Sequence, residues 1–251
     1  MNTIFGLAVI GGVVSLLSTS LGAALTTFFT SSNSKVKKLS ISMDFTLGVM
    51  LSAVAFSLVG PELVASFNEQ SKLRLVLASF FVGILFIGLL NKFVNFKMDH
   101  NKGQSKVFNS SKIVLALALI LHNLPEGMGA GASLAAMDFA KALPIQVVIA
   151  VQNIVEGLVL ALCFISFGLS TKKAIAFSIG SGLVELLGAI IAGIALNFSL
   201  MWLPALLSVA GGAMLMSVLI EFQEGIKEYR TFSKYQFLSG ILIVPAINMF
   251  F

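Results

Sequence analysis

The sequence predicts an all-α membrane protein, eight transmembrane helices in one bundle. Three observations predict it. The 251 residues are 57% hydrophobic and only 11% charged, which is more apolar surface than a soluble chain of that length can cover. The apolar residues gather into runs of roughly 20, the length that crosses a bilayer as a helix, rather than into the short alternating strands of a barrel. The runs follow one another through short loops, so a single domain over 1–251 fits better than two.

The first run, about 4–29, has no positive segment before it, and the first basic residue is Lys35; it reads as a retained helix and not a cleaved signal. Lys35, Lys37 and Lys38 separate it from the second run, about 42–66. Lys72 and Arg74 mark the opposite side before the third run, about 73–96. Lys92, Lys97, Lys102, Lys106 and Lys112 lie in or beside the loop 97–111 that leads to the fourth, about 112–137. Lys141 precedes the fifth, about 143–168, and Lys172 and Lys173 open the sixth, about 172–197. The seventh, about 202–225, is followed by Lys227, Arg230 and Lys234, and the eighth, about 234–251, is the shortest. Glycine and proline inside these runs are tolerated in membrane helices.

Thirteen of the sixteen basic residues thus fall on one side. That side is cytoplasmic by the positive-inside rule, and both termini face outward. The net charge of +5 is therefore a topology signal, and no nucleic-acid partner is expected. The lone cysteine, Cys163, lies inside an apolar run and implies no disulfide framework.

Ionisable residues at mid-membrane are costly and mark function. His122 and Glu126 fall near the middle of the fourth run, Glu156 of the fifth and Glu185 of the sixth, with no lysine or arginine at comparable depth. A network that merely tied helices together would leave several carboxyls without a cationic partner; a bound cation supplies one. Spacing sharpens the inference. "HNLPEG" at 122–127 places His122 and Asn123 four and three residues before Glu126, and "QNIVEG" at 152–157 places Gln152 and Asn153 likewise before Glu156, so each set shares one helix face. Two such helices side by side present imidazole, carboxylates and amide oxygens to one point, and Glu185 adds a third wall. One imidazole, no thiolate and many oxygens suit an exchangeable site for divalent transition metals, not a tight structural zinc site. Pro125 cannot donate to the Leu121 carbonyl, so the helix is expected to kink or open beside the ligands.

At these two hexads the chain resembles the ZIP family of divalent-metal transporters, most closely its bacterial GufA-type branch. "SGLVELLGA" at 181–189 resembles the family's sixth span, "TSLGAAL" at 19–25 its first, "LGVMLSAVAFSL" at 47–58 its second and "AGGAMLMSVLIEFQEG" at 210–225 its seventh. The resemblance implies a binuclear site of His122, Asn123, Glu126, Gln152, Asn153, Glu156 and Glu185, with Glu126 and Glu156 bridging. It matches Met50 to a thioether ligand of some members, against a packing role, and Glu221 to an acidic residue of the cytoplasmic exit path, against a solvated helix end. It also implies a homodimer. The chain departs from the pattern at Val155, where a proline is usual, at the neutral Gln152 and Asn153, and in the loop 97–111, whose single histidine is His100.

The expected protein is a multi-pass cell-membrane importer of divalent transition metal, zinc first among zinc, iron, manganese, cobalt and cadmium. One or two ions are cargo, with no separate cofactor, and the bilayer and the metal are its partners. A membrane metalloenzyme with Glu126 as base is the rival from another class, but no H-E-x-x-H pattern is present. A proton-coupled carrier of an organic solute is the second rival, and clustered imidazole, carboxylate and amide suit an ion better.

Overall fold

The computed structural model describes residues 3–29, 35–100, 120, 122–227 and 232–250. Its α-helices are α1 (Thr3–Phe29), α2 (Lys35–Ala53), α3 (Val59–Ser66), α4 (Gln70–His100), α5 (Asn123–Ala136), α6 (Phe139–Ser166), α7 (Thr171–Phe198), α8 (Leu203–Lys227) and α9 (Lys234–Phe250). No strand occurs among the described residues. Among the described residues six helical runs are long and apolar enough to cross a membrane: Thr3–Phe28, Met43–Ser66, Gln70–Phe93, Phe139–Ser166, Thr171–Phe198 and Leu200–Gln223. The other two expected spans appear as the 14-residue α5 and the 17-residue α9. Positions 112–119 of the expected fourth span, and 101–111 of the expected loop, lie outside the described residues.

Helix α2 begins at Lys35, seven residues before the expected second span, so it takes in the lysines expected in the loop, and three further features differ from expectation. Helix α4 runs to His100 and takes in 97–100, which the sequence reading assigned to the loop. The second span is wound as π-helix over Val54–Leu58, between α2 and α3, where the Val59 N–H reaches the Val54 carbonyl. Pro61 lies just beyond, and a proline's missing N–H and bulky ring disturb the preceding turn in this way. Helix α5 begins at Asn123, with His122 in a turn, so Pro125 sits in the first helical turn. There its absent N–H leaves no intrahelical bond unmade.

The helices sort into two bundles. Helices α1, α5, α6 and α7 pack on one another; in the second bundle α8 packs on α4 and on α2–α3, and α9 packs on α2; α5 against α8 and α2 against α6 are the main contacts between the bundles. Within each bundle backbones approach at glycines. A Cβ on Gly127 would collide with the Glu185 carbonyl, and one on Gly188 with the Leu124 carbonyl, so α5 and α7 cross at backbone contact. Between the bundles runs one apolar cluster: Leu47, Met50 and Leu58 from the second span, Val148 and Ile149 from α6, and Leu207 and Met214 from α8. Large apolar side chains such as Leu17, Phe81, Leu85 and Leu187 stay exposed on the outside, where acyl chains cover them in a bilayer.

A candidate metal centre in the first bundle

The carboxylates, the imidazole and the amides converge where α5, α6 and α7 meet. Glu126, Gln152, Asn153 and Glu185 are 0% exposed, and His122, Asn123, Glu156 and Glu221 are also buried. One donor atom each from His122, Glu126 and Glu156 lies within 4.8 Å of the others, a group able to hold a metal ion. His122, in the turn before α5, and Glu126, in its first turn, thereby meet Glu156 from the middle of α6.

Hydrogen bonds hold this group together. His122 Nε2 is 3.0 Å from Glu156 Oε2. The Gln152 amide nitrogen donates to Glu126 Oε1 at 2.5 Å and to Glu156 Oε1 at 3.0 Å. It thus puts the positive end of its dipole between two carboxylates. The Asn153 amide nitrogen donates to Glu185 Oε2 at 2.8 Å, and the Thr19 hydroxyl to Glu185 Oε1 at 2.5 Å. Four buried oxygens nonetheless have no hydrogen-bond donor: Asn123 Oδ1, Glu126 Oε2, Gln152 Oε1 and Asn153 Oδ1. Buried acceptors rarely go unmatched, and no lysine or arginine is buried among the described residues. Orphaned oxygens around two carboxylates and an imidazole are what a cation satisfies. A narrow cavity lined by Thr19, His122, Asn123, Glu156, Leu160 and Ser181 opens beside the group.

Two residues gain roles the sequence did not suggest. Thr19, from α1, holds Glu185 and lines the cavity. Its other polar contact is local, to the Ser15 carbonyl one turn back, so nothing in the sequence set it apart from an ordinary membrane threonine. Glu221, from α8, places Oε1 3.3 Å from His122 Nδ1. If His122 ligates an ion, Glu221 is placed as the carboxylate behind it: a proton on Nδ1 facing Glu221 would leave the Nε2 lone pair free for metal and make the imidazole a better donor. The contact also joins the two bundles, because His122 leads α5 while α8 belongs to the second. Met50 is fully buried in the apolar cluster between the bundles.

The Glu221 contact makes a prediction that an exit-path role would not. Glu221→Ala is expected to weaken zinc affinity in detergent about 10- to 100-fold, with Glu221→Gln recovering part of the loss because an amide oxygen can still stand beside Nδ1. A residue that only lined the exit would change transport rate and leave the binding titration unmoved.

Comparison with known proteins points to zinc transporters. A family model described as "ZIP Zinc transporter" matches residues 97–243. The chain is 32% identical over 220 residues to "Zinc transporter ZIPB" of Bordetella bronchiseptica, covering 85% of this chain and 70% of that protein. It is 30% identical over 252 residues to "Zinc transporter ZupT" of Streptococcus mutans, covering 94% of each. To "Zinc transporter GufA" of Myxococcus xanthus it is 32% identical over 139 residues, which are 53% of this chain and 55% of that one.

Proposed function

Because this chain belongs to the ZIP family of zinc transporters, an integral membrane family of carriers and not of enzymes, we propose that it imports divalent metal into the cytoplasm, zinc foremost. The observation that carries the reading is the buried group of His122, Glu126 and Glu156, ringed by acceptor oxygens without donors. Zinc is favoured because one imidazole with carboxylates suits it and because the relatives are named as zinc transporters. Iron, manganese, cobalt and cadmium, which accept the same donors, are its competitors.

In this proposal the ion sheds water at mid-membrane and binds His122 Nε2 and carboxylate oxygens of Glu126 and Glu156. Gln152 turns its amide to present the unpartnered Oε1 in place of the N–H that now bridges the carboxylates. Glycine contacts make the first bundle a stiff carrier of these ligands. The side-chain layer between the bundles, with the His122–Glu221 contact, is where they shift to expose the site to one face and then the other. The basic side of the membrane is the cytoplasm, both termini are outside, and the protein works as a homodimer.

Uptake by proteoliposomes loaded with a zinc-sensitive dye tests the proposal. Zinc should enter, manganese and cadmium should compete to different degrees, and uptake should fall as pH is lowered from about 7 to about 5. The sign follows from the donors. Each proton on His122 Nε2 or on a carboxylate removes a lone pair and adds repulsion to the ion. Liposomes that admit no metal, or a rate that does not change over that pH range, would count against it.

A further inference from the structure

Building on the transport-site reading above, we propose that the site takes one divalent ion per chain, at His122, Glu126 and Glu156, and that Asn153 is the residue that keeps a second ion out. The first ground is the state of Glu185. Both of its oxygens already accept hydrogen bonds from neutral donors, Oε1 from Thr19 of α1 and Oε2 from Asn153 of α6. All three side chains are buried, Thr19 at 1% exposure and the others at 0%. Glu185 is also outside the group whose donor atoms converge within 4.8 Å. It is a carboxylate held by the protein, whereas Glu126 Oε2 has no donor at all.

The second ground is charge. Glu126 and Glu156 together match one divalent ion. A second would bring two more positive charges into a buried pocket where only Glu185 is left to face them, since Glu221 stands against His122 Nδ1. Charges buried without partners are strongly unfavourable. The unpartnered oxygens of Asn123 and Asn153 are neutral, so they add donors without adding charge. Asn153 is decisive because its amide both supplies the N–H that occupies Glu185 and withholds the carboxylate that a second ion needs. Asn153→Asp changes both at constant shape: the donor disappears, and two carboxylates stand side by side across α6 and α7.

Zinc stoichiometry of the full chain, purified in detergent, decides the matter. Titration calorimetry and metal analysis after desalting should give one zinc per wild-type chain. Asn153→Asp should give two, and the double variant Asn153→Asp with Glu185→Gln should return to one. Two zinc ions on the wild-type chain would overturn the inference while leaving the transport reading intact. None would overturn both. One zinc ion on a folded Asn153→Asp protein would remove Asn153 from its role. The wild-type count requires no variant, so a variant that fails to fold leaves the first half of the proposal decided.

Discussion

Glu126→Gln is expected to lower zinc uptake by at least two orders of magnitude while the protein still folds. Glu126 is 0% exposed, and its Oε2 has no donor within the protein. The substitution keeps the volume and keeps an oxygen for the Gln152 amide, now bonded to Glu126 Oε1. What disappears is one of the two negative charges that offset the ion. Removing one partner of a buried charge pair costs about 3–5 kcal/mol, or roughly two to three and a half decades in affinity. The metal-free protein should lose no stability, because one of several mutually repelling buried carboxylates has become neutral. The measurement is therefore paired: zinc uptake in proteoliposomes and thermal unfolding without metal. Uptake within about threefold of wild type would remove Glu126 from the site, and unfolding at much lower temperature would recast it as a structural residue.

Most of the fold was legible because a bilayer allows few answers. Runs of about 20 apolar residues must be helices, and each of the eight expected spans contains a helix, with turn or bend residues at His122, Met137 and Phe167–Gly168. Pairing was not legible. Sequence adjacency puts the fourth span beside the fifth, yet α5 packs most closely on α7, and α2 on α9. Hydropathy is alike for every such helix, so partners are chosen by shape, through small residues that let backbones touch. The contact of Gly48 with the Phe237 carbonyl and of Gly240 with the Phe45 carbonyl is of this kind, and it appears only when both helices are in place. The π-helical turn was hidden for a related reason: Pro61 announces a disturbance but not the form it takes.

The site divides along the same line. His122, Glu126, Gln152, Asn153 and Glu156 could be placed together from spacing because a helix brings i, i+3 and i+4 onto one face. Glu185 needed only its depth to be noticed. What spacing cannot say is which atom each group faces. Glu185 turned out to be satisfied by Thr19 and Asn153, and Glu221 to stand behind His122. Both facts depend on contacts between helices far apart in sequence, one 166 residues apart.

The α5–α7 crossing carries the second large effect. Gly127→Val is expected to abolish uptake and to destabilise the protein strongly, whereas Gly180→Ala, in the same pair of helices, should do neither. A Cβ at 127 meets the carbonyl, carbonyl carbon and Cα of Glu185, all backbone atoms that cannot turn aside. Valine adds two methyls to that collision, so α5 and α7 must separate. Overpacking costs about 1–3 kcal/mol where side chains can shift, and here rigid helices have to move instead. Gly180 has nothing within 4 Å of its Cβ position, and an alanine there adds helix propensity of up to about 1 kcal/mol. Gly188→Val, against the Leu124 carbonyl, should reproduce the defect from the other side of the crossing. Uptake and thermal unfolding of the three variants form the test, and wild-type transport by Gly127→Val would refute the backbone contact. The loss of function should exceed the loss of stability. Glu126 immediately precedes the glycine, and the backbone it strikes is that of Glu185, so parting these helices pulls apart the ligand group and the Thr19–Glu185–Asn153 link together.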